Sequence, residues 1–454
     1  MTASPNHRKG VLLITTLASL LTPFMSSSIN VALPVIGSEF RLDPIVLSWV
    51  GLAFLLAASV FLVPAGRLGD IYGMKKLFVG GMALYTVASL GCGLAPTAGL
   101  LIAGRALQGI AGALLYGTAV AILISVYPPH ERGKVLGINV AAVYVGLSIG
   151  PFLGGILTQQ MGWRAVFFST VPVGILVLAL APRWLKGEWA PSRGDRFDLA
   201  GSVLYGLALV ALMYGFSLLP STAGAWFIVA GLAGFVSFFQ WELTAEHPVW
   251  NIRLFRGNVA FLFSNASAFI NYSATYGVTF LLSLYLQYVR HMSPEHAGTI
   301  LVAQPVVMAL LSPAAGRLSD RTQPRIMASL GMALSSVALG FFGLLDEETP
   351  QWEVVAGLMV LGLGFALFSS PNTNAVMSSV EKKHYGIASA TLGTMRLTGQ
   401  MFSLGIVMLT FAVSMGPIQI RPETEWLFLR TVRGAFLLFA LFCAVGVPAS
   451  MARG

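Results

Sequence analysis

The sequence predicts an all-α polytopic membrane protein, and three observations carry that prediction. Of 454 residues, 56% are hydrophobic and only 10% are charged, a balance that an ordinary water-facing surface does not have. Fourteen apolar runs are each long enough to cross a hydrocarbon core of about 30 Å as a helix. With both termini on one side, 19 Lys and Arg fall in segments on that side and 6 on the other. Such asymmetry is the mark of cytoplasmic termini, and it agrees with an even number of spans.

The candidate spans lie near 11–34, 45–66, 77–95, 99–127, 135–159, 165–182, 199–219, 225–243, 259–289, 297–316, 326–345, 353–377, 386–412 and 430–450. Lipid offers the backbone no hydrogen-bonding partner, so each run is read as a helix. The first run follows Arg8 and Lys9, as the apolar core of a signal peptide would. It continues without a small-residue cleavage pattern and is read as a retained span. Polar connections at 183–198 and 244–258 set off spans 7 and 8. The expected organisation is a six-helix bundle with its linker at 1–197, a two-helix insert at 198–243, and a second six-helix bundle at 244–454. The net charge of +9 is scattered through short loops, so it gives no reason to expect nucleic acid as a partner. Cys92 and Cys443 stand alone in apolar runs and suggest neither a disulfide framework nor a metal. No cofactor is expected.

The chain is organised around the connection Gly66-Arg67-Leu68-Gly69-Asp70-Ile71-Tyr72-Gly73-Met74-Lys75-Lys76. Its opening recurs 250 positions later as Gly316-Arg317-Leu318-Ser319-Asp320, and Glu131 and Glu381 share the same offset. A register held across several helices indicates two related halves. An acid at a helix end can accept hydrogen bonds from a neighbouring helix N-terminus, or pair with a base. Asp70, Lys75, Lys76, Arg132 and Asp320 are therefore candidates for a latch that holds in one conformation and releases in another. The plainer alternative is that Asp70 only caps and orients its loop.

Two spans carry further patterns. In span 4, Arg105, Gln108, Gly109, Gly112 and Tyr116 share one helical face. A guanidinium at that depth faces protein or a water-filled cavity, so Arg105 is either a strut satisfied by carbonyls or a functional charge. Span 5 holds Gly137, Gly146, Gly150, Pro151, Gly154 and Gly155. Glycines four apart let backbones approach closely, and Pro151 removes a helix donor. The combination suits a close-packed hinge or sliding contact.

These motifs resemble the major facilitator superfamily, and within it the fourteen-span drug:proton antiporter branch of multidrug efflux proteins. The first connection is similar to the family signature G-x-L-x-D-x-x-G-x-K/R-K/R. Leu101 to Ala113 is similar to its span 4 pattern, and Gly137 to Gly155 to its antiporter motif. Asn30-Val31-Ala32-Leu33-Pro34 looks like the end of the branch's first-span motif. The resemblance implies a major facilitator fold of 14 transmembrane helices, with two bundles rocking about a central cavity. It also implies export of small amphiphilic compounds, with protons as the coupling ion, from a cell-membrane protein read as a monomer.

One departure stands out. Where the branch usually has an acid, five residues before Asn30, this chain has Met25. None of the 18 acids falls near mid-membrane. A proton-coupled carrier usually needs a titratable group that both sides can reach. Uniport or exchange of an organic anion thus remains open as a second function for the same fold. Asn30, Arg105, Asn271, Tyr272, Gln304, Asn372, Arg396 and Gln400 are the candidate substrate contacts. Two arginines without partner acids favour an anionic group on the ligand. A membrane enzyme would need clustered acids, histidines or metal ligands at membrane depth, and the sequence has none.

Overall fold

In the computed structural model, described for residues 5–246, 248–250, 252–319, 321–381 and 385–452, the chain is built from helices. The first half comprises α1 (Pro5–Phe40), α2 (Pro44–Tyr72), α3 (Met74–Gly93), α4 (Ala98–Val126), α5 (Pro129–Met161) and α6 (Arg164–Trp184). Two further helices follow, α7 (Leu199–Leu218) and α8 (Thr222–Thr244). The second half comprises α9 (Val259–Thr275), α10 (Gly277–Leu284), α11 (Pro294–Leu301), α12 (Ala303–Ser319), α13 (Pro324–Phe342), α14 (Gln351–Ser378), α15 (Tyr385–Ser414) and α16 (Glu425–Met451). Short polar residues set the starts: Asp43, Thr97, Ser221, Ser293 and Asn258 each accept a backbone N–H of the first turn, satisfying donors that a helix N-terminus leaves free.

Thirteen helical stretches among the described residues are long and apolar enough to span a membrane. The fourteenth crossing, at 259–289, is broken, where the sequence pattern predicts one continuous helix. It runs through α9, is interrupted at Tyr276, continues as α10 and ends in a π-helical turn, Tyr285–Val289. Ser403 Oγ on α15 accepts the Gly277 N–H at 2.8 Å, so the backbone freed by the interruption keeps a partner. A second break separates α11 from α12 at Val302, just before Pro305, which has no N–H to give to the preceding turn.

The repeat in the sequence is a repeat in space. α3 starts at Met74 and α13 at Pro324, 250 positions apart. In the first half α1 packs on α5, α2 on α4, and α3 on α4 and α6. In the second, α9 packs on α15, α12 on α14, and α13 on α14 and α16. α7 and α8 pair with each other, and α7 touches α2 on one side and α15 on the other.

One face of the molecule, where α1 begins and α2 meets α3, carries most of the bases and is called the basic face here. At the opposite face the halves are closed on each other. Ser283 Oγ donates to Asn30 O at 2.7 Å, Gln287 Nε2 to Val31 O at 3.0 Å, Tyr288 Oη to Pro34 O at 3.2 Å, and Gln419 Nε2 to Arg41 O at 2.7 Å. α5 shows how the contact changes with depth. Near its far end, a Cβ on Gly155 would meet Pro294 O at 2.6 Å, and one on Gly298 would strike Pro151 O. Towards the basic face the same side of α5 presents Ala141 and Gly137, both exposed, and a Cβ on Gly137 would meet nothing. The halves thus splay from a sealed end towards the basic face.

Candidate functional site

The splayed space between the halves is lined by two groups of tyrosines, one beside Arg396 and the other backed by Arg105. Arg396, on α15, is half-buried. Its Nη2 donates to Thr373 Oγ1 of α14, and its guanidinium lies over the Tyr272 ring of α9, 5.8 Å from the centroid. Tyr144 of α5 approaches Tyr272 from the other half. Arg396 Nε is buried without a partner, and no carboxylate pairs with this guanidinium among the described residues. The second group centres on Tyr276, where the broken crossing is interrupted. Ser26 of α1, Tyr116 of α4 and Arg105 surround it from the first half. Tyr116 is 38% exposed although it sits within the fold, as a residue facing an open cleft must be.

The candidate contacts divide into those at this cleft and those behind it. Tyr272 and Arg396 meet directly. Asn271 and Asn372, next in sequence to Tyr272 and Thr373, are buried, Asn271 with both amide atoms and Asn372 with its Oδ1 unpartnered. Gln400 is half-buried on α15, and Gln304 is buried where α12 begins. Asn30 belongs to the sealed end, where its carbonyl accepts Ser283 Oγ. Arg105 is a strut: only 1% exposed, it donates to Val50 O at 3.1 Å and Gln108 Oε1 at 2.8 Å, and stacks on Phe54 at 4.6 Å. Of the two readings left open for Arg105, the structure supports carbonyl satisfaction over direct ligand contact. Its desolvation is repaid by hydrogen bonds and the ring face.

Gly146, Gly150 and Gly154 of α5 serve the packing of the first half, while Gly155 packs against the second. A Cβ on Gly146 would meet Leu20 O at 2.7 Å, one on Gly154 would meet Ser28 Cα at 2.7 Å, and one on Gly150 would strike Ser27 Oγ. Ser28 Oγ donates to Gly150 O at 2.8 Å. The serines after Met25 therefore tie α1 to α5, and Met25 itself is fully buried. Gly137 is the exception to the packing expectation, since it lies in open space.

The basic-face connection, where the latch candidates lie, is held by the following contacts. Asp70 contributes its backbone carbonyl, which accepts Ser192 N at 3.0 Å. Arg67 pairs with Asp195 at 2.8 Å, Met74 N donates to Trp189 O at 2.9 Å, and Glu188 Oε1 accepts the Lys75 N–H at 2.8 Å. Arg132 Nε donates to Tyr127 O at 3.0 Å. Lys76 lies on the first turn of α3, and Asp320 lies outside the described residues. The partner of the signature loop is thus the linker after α6. The sequence reading missed Glu188. The signal available was Gly73, a residue without a side chain at the position where α3 needs a cap.

Every described acid sits in a connection or within two residues of a helix end, and the cleft has none. Glu242, near the end of α8, is buried at 1% exposure and accepts the Trp250 N–H at 3.0 Å. It belongs to the insert, not to the cleft of Tyr272 and Tyr276.

The family model described as Major Facilitator Superfamily matches residues 15–255 and 265–452. The chain belongs to that superfamily. It is 27% identical over 395 residues to the riboflavin transporter RibZ of Clostridioides difficile (strain 630), covering 87% of this chain and 86% of the relative. It is 31% identical over 413 residues to the multidrug resistance protein Stp of Mycobacterium tuberculosis (strain CDC 1551 / Oshkosh), covering 88% and 76%. Among solved structures, a bacterial homologue of the human lysosomal transporter Spinster, in an inward-facing and unoccupied conformation, superposes with a TM-score of 0.70 at 18% identity, covering 99% of this chain and 98% of that one. The superfamily and these relatives make the chain a multi-pass membrane transporter, not an enzyme.

Proposed function

We propose that this transporter exports small amphiphilic compounds from the cytoplasm by alternating access, with the basic face cytoplasmic and the chain acting as a monomer in the cell membrane. The observation that carries the reading is the cleft itself: tyrosines and one arginine without a carboxylate partner, closed at the far face and widening towards the bases. Aromatic walls suit an apolar body, and a few convergent polar groups fix its orientation. Arg396 suits a carboxylate, phosphate or sulfonate on that body. The multidrug resistance name of the Stp relative supports efflux, and the RibZ relative is named as a riboflavin transporter.

Proton coupling in this chain would have to use carboxyls at helix ends, such as Asp70 or Glu242. The acid-free cleft favours a second reading, in which the same fold exchanges or passively carries an organic anion. One assay tests both. Purified protein in liposomes is given anionic, neutral and cationic amphiphiles, with and without an imposed proton gradient. Efflux of amphiphiles supports the first reading. Anion movement that responds only to its own gradient supports the second. No movement of any class refutes both.

A further inference from the structure

The repeat that relates the halves breaks down at one place with a chemical meaning. Lys75 and Arg325 occupy corresponding positions, each in the first turn of a spanning helix at the basic face. At α3 the carboxylate of Glu188 takes the Lys75 N–H at 2.8 Å. An anion there satisfies a free donor and offsets the positive end of the helix. At α13 no described carboxylate plays this part. Gln323, in the cap position, makes no side-chain bond to the helix; its Oε1 instead accepts Arg325 Nε at 3.0 Å.

Where the second half lacks that carboxylate, it has a cavity of about 350 Å³, lined by Ser264 of α9, the cap residue Gln323, Pro324 and Arg325 of α13, and Ser378 and Ser379 at the end of α14. Ser264 is 0% exposed, and its hydroxyl has no hydrogen-bond partner. Buried hydroxyls are nearly always bonded, so an unpartnered one on a cavity wall marks a missing acceptor. Arg325 has no carboxylate partner among the described residues. A guanidinium, a helix N-terminus and a hydroxyl converging on one space form an anion site.

We infer that this pocket binds a phosphate-bearing anion, and that its occupant is the headgroup of an anionic phospholipid. The pocket lies at the basic-face ends of spanning helices, at headgroup depth. From its rim an exposed apolar stripe, Ile326, Leu330 and Val337, runs along α13, as an acyl chain would need. The lipid phosphate takes at α13 the place that Glu188 takes at α3. This inference does not depend on what the cleft transports.

The test uses the full-length protein purified in a neutral detergent and supplied separately with phosphatidylglycerol, phosphatidylcholine or inorganic phosphate. Phosphatidylglycerol is expected to raise the thermal midpoint by several degrees and to remain bound in native mass spectra. Arg325→Gln and Ser264→Ala should each reduce that retention several-fold, while Glu188→Gln leaves it unchanged. If inorganic phosphate alone gives the full shift and removes the lipid effect, the site holds free phosphate and the lipid assignment falls. If no phosphate-bearing compound shifts the midpoint, or Arg325→Gln retains lipid as wild type does, the site is overturned.

Discussion

Arg396 and Tyr272 face each other across the second-half wall of the cleft, the guanidinium 5.8 Å from the ring centroid and its Nε buried without a partner. A structural arginine at this depth would be expected to spend its donors on carbonyls, as Arg105 does on Val50. Arg396 spends one on Thr373 and keeps another unpaired, and that difference motivates a test of whether it meets the substrate. Arg396→Gln should raise the apparent KM for anionic amphiphiles by about tenfold or more, since a hydrogen bond to a charged group is worth roughly 1.5–3 kcal/mol. Cationic amphiphiles should change little. Equal loss for both classes in the same flux assay would make Arg396 a structural residue.

Coupling follows from the same composition. One pH unit is worth about 1.4 kcal/mol per proton, so a carrier that must exchange one proton per substrate changes its steady accumulation about tenfold. With every described acid within two residues of a helix end or in a connection, accumulation here is expected to change less than about twofold per unit (against that tenfold reference). Measuring the steady ratio in liposomes at several imposed gradients decides it. A tenfold response would mean that a helix-end carboxyl such as Glu242 exchanges protons with both sides.

Much of this architecture was legible in the sequence because lipid enforces it. Span lengths and the basic loops follow from what a bilayer demands of a chain, and the 250-residue repeat from Gly66 to Gly316 is visible as self-similarity of the sequence. What could not be read was which neighbour each polar group would find. Glu188 lies 113 residues from Lys75, and no spacing rule joins them. The break at Tyr276 is equally hidden. Residues 259–289 are long and apolar enough overall to be read as one helix, and the Ser403 hydroxyl that accepts the Gly277 N–H at the break lies on a distant helix. Arg105 and Arg396 look alike in sequence, yet packing satisfies one and leaves a donor of the other free.

The glycines of α5 give a graded test of packing. Gly150→Ala would drive a methyl into Ser27, and Gly154→Ala into Ser28. Overpacking of this kind costs about 1–3 kcal/mol, so both variants should lose thermal stability in detergent and much of their transport. Gly137→Ala meets nothing, and replacing a helix glycine gains up to about 1 kcal/mol. It should match or exceed wild-type stability. If all three behave alike, the α1–α5 contact is looser than its geometry implies.

The seal at the opposite face offers a direct handle on the conformational equilibrium. Gly298 lets α11 lie against the Pro151 carbonyl, and any β-carbon there would strike it. Gly298→Val should therefore disfavour the form closed at that face while leaving each half intact. Gln287 is placed to report the opening, because its side chain bridges to Val31 of the other half in this sealed form. Cys92 and Cys443 are both fully buried, so an impermeant maleimide reads a Gln287→Cys substitution without background from them. Labelling from the opposite face should be several-fold faster in the Gly298→Val protein, and transport should fall because the cycle can no longer complete the closed form. Unchanged labelling with unchanged transport would show that this contact does not limit the movement of the halves.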